Sequence, residues 1–396
     1  MSTRRTLLAG STAALGLAAG AAHAAPSVTA PQPAAAPGGR PPNLVVVLAD
    51  DLGYGELGAY GQKLIATPRL DGFPAEGLQF TDAYSTAAVC APSRGSLLTG
   101  LHAGHATVRA SPSSGARVPG RRHHVRPGAA GPWLPDRRDR QVGLRSGGHR
   151  PGRPPGRARL RGVLQLHRPR PRAPVLPRVP LAQRRREPIP ANAGGAKAVY
   201  APDLLERRAL EFIGEHAAEP FLLLLTPNVP HAPSDVPDTS AYADRSWTAA
   251  NKGHAAQVSR FDALVGKVVD RLRALGLEQD TVLLVTSDNG PHEEGGVNPD
   301  LFDANGPLRG YKRNLSEGGV RVPLIAWGPN RVRQGTSDRP TPLTDVLPTL
   351  AELGGAPAPA DVDGLSAAPL LAGSPDSARH GHLYWFRDEW ASPAGS

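Results

Sequence analysis

The sequence predicts an α/β fold whose central sheet is largely parallel and covered on both faces. Three continuous apolar runs, 43–49, 221–225 and 281–287, have the length and composition of fully buried strands. Apolar positions recur at helical spacing in 203–213 and 251–275, on either side of the second run. Buried strands that alternate with amphipathic helices are typical of a sheet with helices packed on its faces.

Shorter segments complete the predicted order of elements. They are a helix at 67–71, a strand at 77–84, a fourth apolar strand at 324–327 and a helix that starts at 344–350. An apolar content of 40% is enough for a globular core in a chain of 396 residues, which allows one large domain or two smaller ones.

Oxygen-bearing side chains follow the first and third of the buried strands directly. They are Asp50, Asp51, Asp288 and Asn289. Open α/β sheets place their ligand sites at the carboxyl ends of strands. Adjacent acids repel each other unless a cation lies between them, and hard divalent cations prefer oxygen ligands. The repetition favours a divalent-cation site, whereas the alternatives are a solvated turn after the first strand and an Asn-Gly turn after the third.

The chain contains a single cysteine, Cys90, so an internal disulfide is excluded and the residue is either a small buried hydrophobe or a reactive group. Pro92 ends the preceding strand, and Ser93 is a natural N-cap for a helix that opens at 95–98. Cys90 is therefore expected at a helix N-terminus beside Arg94, where negative charge is stabilised.

Two further polar residues lie in settings that favour a functional role. His231 lies between prolines in 226–233, at the carboxyl end of the second buried strand, although a lone histidine after a strand is usually structural. Lys312 lies in 310–313, ahead of the Glu-Gly-Gly run at 317–319, although it could be an ordinary surface lysine.

The stretch from Cys90 to Gly100 resembles the signature of the sulfatase family, Cys-x-Pro-Ser-Arg-x-x-x-Leu-Thr-Gly, and matches it at every fixed position. The resemblance covers about residues 42–119 and 187–385. It implies the alkaline-phosphatase-like three-layer α/β sandwich with a central mixed, mostly parallel sheet. It also implies a sulfuric ester hydrolase in which Cys90 is oxidised to formylglycine, whose hydrate is the nucleophile.

The same resemblance implies roles for the residues already singled out. Ca²⁺ would be bound by the modified Cys90 together with Asp50, Asp51, Asp288 and Asn289. Arg94 would hold the formylglycine hydrate and offset its charge. His231 and Lys312 would contact the sulfate, and one of them would assist the leaving oxygen.

Residues 120–186 differ abruptly in composition from the rest of the chain. They contain 19 Arg, 2 Asp and 11 Pro but no Lys or Glu, so this segment carries more than the whole net charge of +10 and the remainder is mildly acidic. One interpretation is a disordered basic insert that binds nucleic acid or another polyanion. The other, which we favour, is a compensated pair of frame errors in a GC-rich gene, a hypothesis that resequencing of the coding DNA tests.

The ends of the chain carry predicted processing and linker segments. Residues 1–24 resemble an export signal, with Arg4-Arg5 indicating the twin-arginine type and an ordinary secretory signal as the alternative. Residues 25–41 are expected to be a disordered linker, 42–385 the catalytic domain and 386–396 a tail. No later run is apolar enough to span a membrane, so a periplasmic or secreted protein is predicted.

The predicted function is therefore hydrolysis of a small-molecule or glycan sulfate ester, with a formylglycine-generating enzyme as partner and no specific nucleic acid. The alternatives are a phosphodiesterase or phosphonate hydrolase of the same superfamily and a non-catalytic polyanion-binding protein. Family members usually have a Gly-Lys-Trp-type motif in the region occupied by 120–186 and a small C-terminal sheet after a run such as 383–385. Because the sequence lacks both, we expect a poorly stable chain that is weakly active or inactive.

Overall fold

The computed structural model describes residues 40–109, 164–166, 192, 198–357, 359–374 and 377–387, which all belong to one compact unit beginning at residue 35. The signal predicted at 1–24, almost all of the linker and of the 120–186 segment, and most of the tail lie outside the described residues. None of the described helices is both long enough and apolar enough to cross a membrane.

The described strands and helices follow the predicted order closely. The strands are β1 (Asn43–Ala49), β2 (Gly77–Phe80), β3 (Ala83–Tyr84), β4 (Leu164–Leu166), β5 (Leu222–Leu225), β6 (Thr281–Ser287), β7 (Leu324–Trp327), β8 (Gly335–Ser337) and β9 (Thr341–Pro342). The helices are α1 (Pro68–Gly72), α2 (Cys90–Thr99), α3 (Ala201–Glu215), α4 (Ala249–Ala274), α5 (Glu317–Val320), α6 (Val346–Leu353) and α7 (Ala368–Leu371).

Seven of the described strands form the main sheet, in the order β4-β5-β1-β6-β7-β2-β8. The three central strands β5, β1 and β6 are parallel, whereas β7 is antiparallel to both β6 and β2 and β4 is antiparallel to β5. Strands β2 and β8 are parallel to each other. Only β4 and β7 therefore run against the common direction, which confirms a mixed, mostly parallel sheet.

The central strands bury both of their faces, as their continuous apolar runs predict. Alternate residues of β1, such as Val45 and Val47, pack into one core with Phe212 of α3 and Phe261 of α4. The residues between them pack into a second core formed with helices α2, α6 and α7, which includes Leu97, Leu350 and Leu370. Successive side chains of each central strand thus point to opposite faces of the sheet and pack into two different cores, which gives the three-layer arrangement.

The prediction of one strand over 77–84 is wrong in its continuity. The chain turns at Thr81 and Asp82, whose backbone groups bond to Ser337 and Thr341, so β2 stays in the main sheet and β3 pairs with β9. Strand β4 lies within the Arg/Pro-rich segment, where the sequence shows no strand periodicity. It pairs with β5 in antiparallel register.

Candidate active site

The carboxyl ends of β1 and β6 bring together the four oxygen-bearing side chains that the sequence singled out. The two strands pair in parallel up to Ala49 and Ser287, so the residues that follow them are neighbours. The Asp51 N–H donates to Asp288 Oδ1 at 3.0 Å, and Asn289 Nδ2 donates to Asp51 Oδ1 at 2.7 Å. Asp51 has a φ of 71°, a left-handed backbone that Asp adopts more readily than most side-chain-bearing residues. Asp51, Asp288 and Asn289 are fully buried.

The loop after β6 needs glycine because two backbones touch. A Cβ at Gly290 would lie 1.9 Å from the carbonyl oxygen of Gly318 in α5, and the Gly290 N–H donates to Gly319 O at 3.0 Å. Gly290 is therefore required by close backbone approach rather than by an Asn-Gly turn.

Helix α2 places Cys90 and Arg94 beside the side chains that follow β1 and β6. The helix begins at Cys90, so Ser93 lies inside it and the prediction of Ser93 as N-cap is wrong. Arg94 lies one turn after Cys90 and donates from Nε to Asp288 Oδ2 at 2.5 Å. Ligand-type atoms of Asp50, Cys90 and Asp288 all lie within 4.8 Å of one another.

His231 and Lys312 converge on the same carboxylate from other loops. Lys312 Nζ donates to Asp51 Oδ2 at 2.6 Å, and His231 Nε2 lies 3.6 Å from that oxygen. His231 follows Pro230, whose backbone forms an isolated bridge with Asp50. All eight residues that the sequence predicts for the site therefore meet at one end of the sheet.

The charges of this cluster explain the shifts in its pKa values. Burial, followed by the carboxylates of Asp288 and Asp50, raises the pKa of the Cys90 thiol to about 12. Burial lowers the pKa of Lys312, but the Asp51 carboxylate outweighs it, so the lysine remains protonated. The expectation that the helix N-terminus favours negative charge at Cys90 is wrong for the thiol, because burial and three nearby carboxylates together outweigh a single helix end.

The oxygen atoms of the cluster fit a divalent cation. Asp50 Oδ1 and Asn289 Oδ1 are buried and accept no hydrogen bond within the part of the chain that the structure describes. The guanidinium nitrogen Nη2 of Arg94 lies 3.4 Å from Asp50 Oδ1. Buried oxygens without a donor are costly unless something else binds them, and carboxylate and amide oxygens are the ligands that Ca²⁺ and Mg²⁺ prefer.

A sequence profile of the sulfatase family matches residues 42–126 and 174–356, more than half of the chain. The chain belongs to the sulfatase family. Human arylsulfatase A is 32% identical over 87% of this chain and 71% of its own length, and mouse steryl-sulfatase is 31% identical over 93% and 71%. Dog N-acetylgalactosamine-6-sulfatase is 32% identical over 84% of this chain and 66% of its own length. These similarities identify the chain as a sulfatase enzyme.

Solved structures share the fold of this sulfatase. Ps i-CgsB in complex with k-i-k-neocarrahexaose superimposes with a TM-score of 0.63 at 24% identity, covering 88% of this chain and 80% of that chain. The phosphonate monoester hydrolase of Agrobacterium radiobacter superimposes with a TM-score of 0.54 at 18% identity, covering 88% and 81%. The fold is the alkaline-phosphatase-like sandwich, as predicted. The likeness to the phosphonate hydrolase extends to fold alone.

Sequence reasoning missed a group of buried residues behind the candidate site. Glu56, His254 and His292 are all at most 1% exposed, and Glu294 lies 3.4 Å from Lys312 Nζ. Glu56 Oε2 accepts the Gly53 N–H at 2.7 Å while Oε1 bonds to His254, so this pair holds the Asp51 loop against α4. The sequence offers only a weak indication of these residues, namely that His292 and Glu294 follow Asn289 by three and five residues.

A second histidine and carboxylate group lies at the other end of α2. His102 and His105 stack with ring centroids 4.2 Å apart, and both lie against Asp363. His102 Nδ1 already accepts the Gly104 N–H at 3.0 Å, and the His102 N–H donates to Asp363 Oδ2 at 2.9 Å. These bonds hold the loop after α2 in place, and no described hydrogen bond connects the group to the candidate site.

Proposed function

We propose that this sulfatase hydrolyses sulfate monoesters with a bound Ca²⁺ and with a formylglycine that is made from Cys90. The observation that carries the proposal is the convergence of two strand ends and one helix end on a single point. A lone cysteine, four oxygen ligands and three basic side chains meet there, and that donor set suits a hard cation beside an anionic ester.

The balance of charge argues for the cation. Asp50, Asp51 and Asp288 contribute three negative charges, and Arg94 and Lys312 contribute two positive ones, which leaves the centre negative. A sulfate monoester is itself an anion and would be repelled by such a centre. A divalent cation held by the three aspartates and Asn289 reverses the sign, and when bound it supplies charge neutralisation and polarises the sulfate oxygens.

The chain's own residues then orient the ester and move one proton. Arg94 is fixed by Asp288 within one helical turn of residue 90, so it offsets negative charge that develops there. Lys312 remains protonated and donates hydrogen bonds to the transferred group. His231 Nε2 faces Asp51 Oδ2, the oxygen that Lys312 also contacts. We assign to His231 the role of donating a proton to the departing alcohol oxygen. The formylglycine supplies the oxygen nucleophile that a thiol held neutral cannot supply.

The substrate and the cellular context are also proposals. The curated relatives are named for aryl, steryl and N-acetylgalactosamine-6 sulfates, so small-molecule and sugar sulfate esters are the candidates for this chain. We propose export, by a twin-arginine signal in 1–24, and modification of Cys90 by a formylglycine-generating enzyme before or during export.

The experiment is to express the chain with a formylglycine-generating enzyme and to measure hydrolysis of 4-nitrophenyl sulfate. Cys90→Ala and Cys90→Ser are the controls, and mass spectrometry of the residue-90 peptide reports conversion of the thiol to the aldehyde. We expect turnover that is weaker than that of sulfatases with the Gly-Lys-Trp-type motif, depends on that conversion, and is lost in both variants and after chelation of divalent cations. Turnover that survives Cys90→Ala or chelation would contradict the proposal.

The same preparation distinguishes the alternative reaction. Bis(4-nitrophenyl) phosphate and phenyl phosphonate esters are assayed in parallel with the sulfate ester. A kcat/KM that is higher for either phosphorus ester would replace the sulfatase proposal by the phosphodiesterase or phosphonate hydrolase reading. We expect the sulfate ester to be preferred, because the signature of the sulfatase family is complete over residues 90–100.

A further inference from the structure

Both nitrogens of the His292 ring form hydrogen bonds, one within its own loop and one to the loop that carries His231. His292 is fully buried, and its Nδ1 accepts the Glu294 N–H at 3.0 Å. Its Nε2 lies 3.0 Å from the carbonyl oxygen of Pro230, which can only accept. The proton therefore lies on Nε2, and one neutral tautomer satisfies both bonds. Burial also lowers the pKa of His292, which agrees with a neutral ring.

These bonds join His292 to the loops that carry the two proposed sulfate contacts. Pro230 directly precedes His231, so the Nε2–H bond fixes the peptide from which His231 projects. The Lys312 N–H donates to the carbonyl oxygen of Pro291, the residue before His292, at 2.8 Å. Glu294, held through Nδ1, places a carboxylate oxygen 3.4 Å from Lys312 Nζ.

The ring also fills the space behind the site. Its centroid lies 6.0 Å from that of His231 and 5.4 Å from that of His254, which is bonded to Glu56. His292 therefore lies between the His231 ring and a buried Glu–His pair that is anchored on α4. A side chain with no donor at this position would leave the Pro230 carbonyl buried and unpaired and would remove one of the bonds that hold the peptide before His231.

We propose that His292 is the positioning residue that fixes His231 against Asp51. The inference rests on the function proposed above and adds a residue that contacts no substrate. His292 acts through His231. Its Nε2–H donates to the Pro230 carbonyl and thereby sets the position of His231 Nε2 relative to the leaving oxygen.

The test uses two substitutions that separate the two bonds. His292→Asn retains an acceptor for the Glu294 N–H but is too short to reach Pro230 O, whereas His292→Gln places an amide N–H where Nε2 was. Mutation of a residue that supports a functional side chain typically lowers activity by about 10- to 100-fold. We therefore expect His292→Asn to lower kcat by about that factor. His292→Gln should recover most of the loss.

The leaving group distinguishes positioning from a merely structural role. A poor leaving group such as phenolate needs the proton from His231, and 4-nitrophenolate does not. We expect His292→Asn to slow phenyl sulfate hydrolysis at least tenfold more than 4-nitrophenyl sulfate hydrolysis, and His231→Ala/His292→Asn to be no slower than His231→Ala. The matched control is His380→Asn, which removes the 2.7 Å bond of another mostly buried histidine to Asp345 and should leave the ratio of the two substrates unchanged.

An equal loss on both substrates, or an additive loss in the double variant, would overturn the inference. A readout that needs no turnover separates it from failure of the proposed function. Nitrogen-15 spectra of the histidine rings should give the Nε2–H tautomer for His292 and a displaced His231 resonance in His292→Asn. A different tautomer, or an unmoved His231 resonance, would overturn it even in a chain that hydrolyses no sulfate ester.

Discussion

Replacing Arg94 by methionine should destabilise the fold far more than removing an equally short ion pair on the surface. Arg94 Nε and Asp288 Oδ2 are 2.5 Å apart, with side chains that are 10% and 0% exposed. Arg94→Met keeps most of the buried aliphatic length but leaves the Asp288 carboxylate without its cation. Breaking a buried pair in this way typically costs about 3–5 kcal/mol.

The chain offers a control pair with the same shortest distance. Arg69 and Asp270 are also 2.5 Å apart, but their side chains are 39% and 54% exposed. Solvent screens such a pair, and its contribution is about 0–1 kcal/mol. Urea denaturation of Arg94→Met and Arg69→Met in a chelating buffer therefore should separate the two costs by at least about 2 kcal/mol.

Two conditions should modulate the cost of Arg94→Met. Burial already raises the pKa of Asp288 against the lowering by Arg94, and loss of Arg94 raises it further. The folded state then keeps a proton that the unfolded state releases at about pH 4, so the variant should lose stability as the pH rises toward neutrality. Added Ca²⁺ should restore part of the loss by compensating the carboxylate. Equal costs for the two variants in chelating buffer at neutral pH would refute the reasoning.

Three further predictions concern single side chains. Phe261→Ala should lower the free energy of unfolding by about 3–5 kcal/mol in urea titrations, because the ring is fully buried in α4 and leaves a cavity. Burial raises the pKa of Asp262 to about 6, so wild-type stability should fall as the pH rises from about 4 to 6, and Asp262→Asn should remove that slope. Burial raises the pKa of Glu294, but the cations of Lys312 and Arg313 outweigh burial and lower this pKa to about 2. Wild-type stability should therefore decrease as the pH falls from about 4.5 toward 2, and Glu294→Gln should show a shallower acid limb.

The parts of the fold that the sequence predicts are those with local signals. Strands β1 and β6 agree with prediction to the residue because each is a continuous apolar run that ends in acids. Helix α4 agrees within two residues at its start because its apolar face repeats over seven turns. The direction of β7 could not be predicted, since an apolar run reads the same in parallel and antiparallel pairing.

The supporting residues of the site could not be predicted, because their partners are distant in the chain. His292 bonds to Pro230 across 62 residues, and Glu56 bonds to His254 across 198. Each alone is an ordinary polar residue in the sequence, and its purpose appears only when the loops meet. The error at Ser93 has a local cause. The helix begins at Cys90, five residues before the predicted opening at residue 95, because Pro92 fits the first turn of a helix as well as the end of a strand.

The contact between Gly290 and Gly318 limits how the site can be altered. An ordinary contact needs at least 3.4 Å, and the methyl group of an alanine at 290 would have 1.9 Å, so the loop after β6 would have to retreat by about 1.5 Å. The adjoining Asn289 would move with it, and displacements of about 1 Å can cost two orders of magnitude in rate. Engineering for new esters should therefore leave this glycine pair intact.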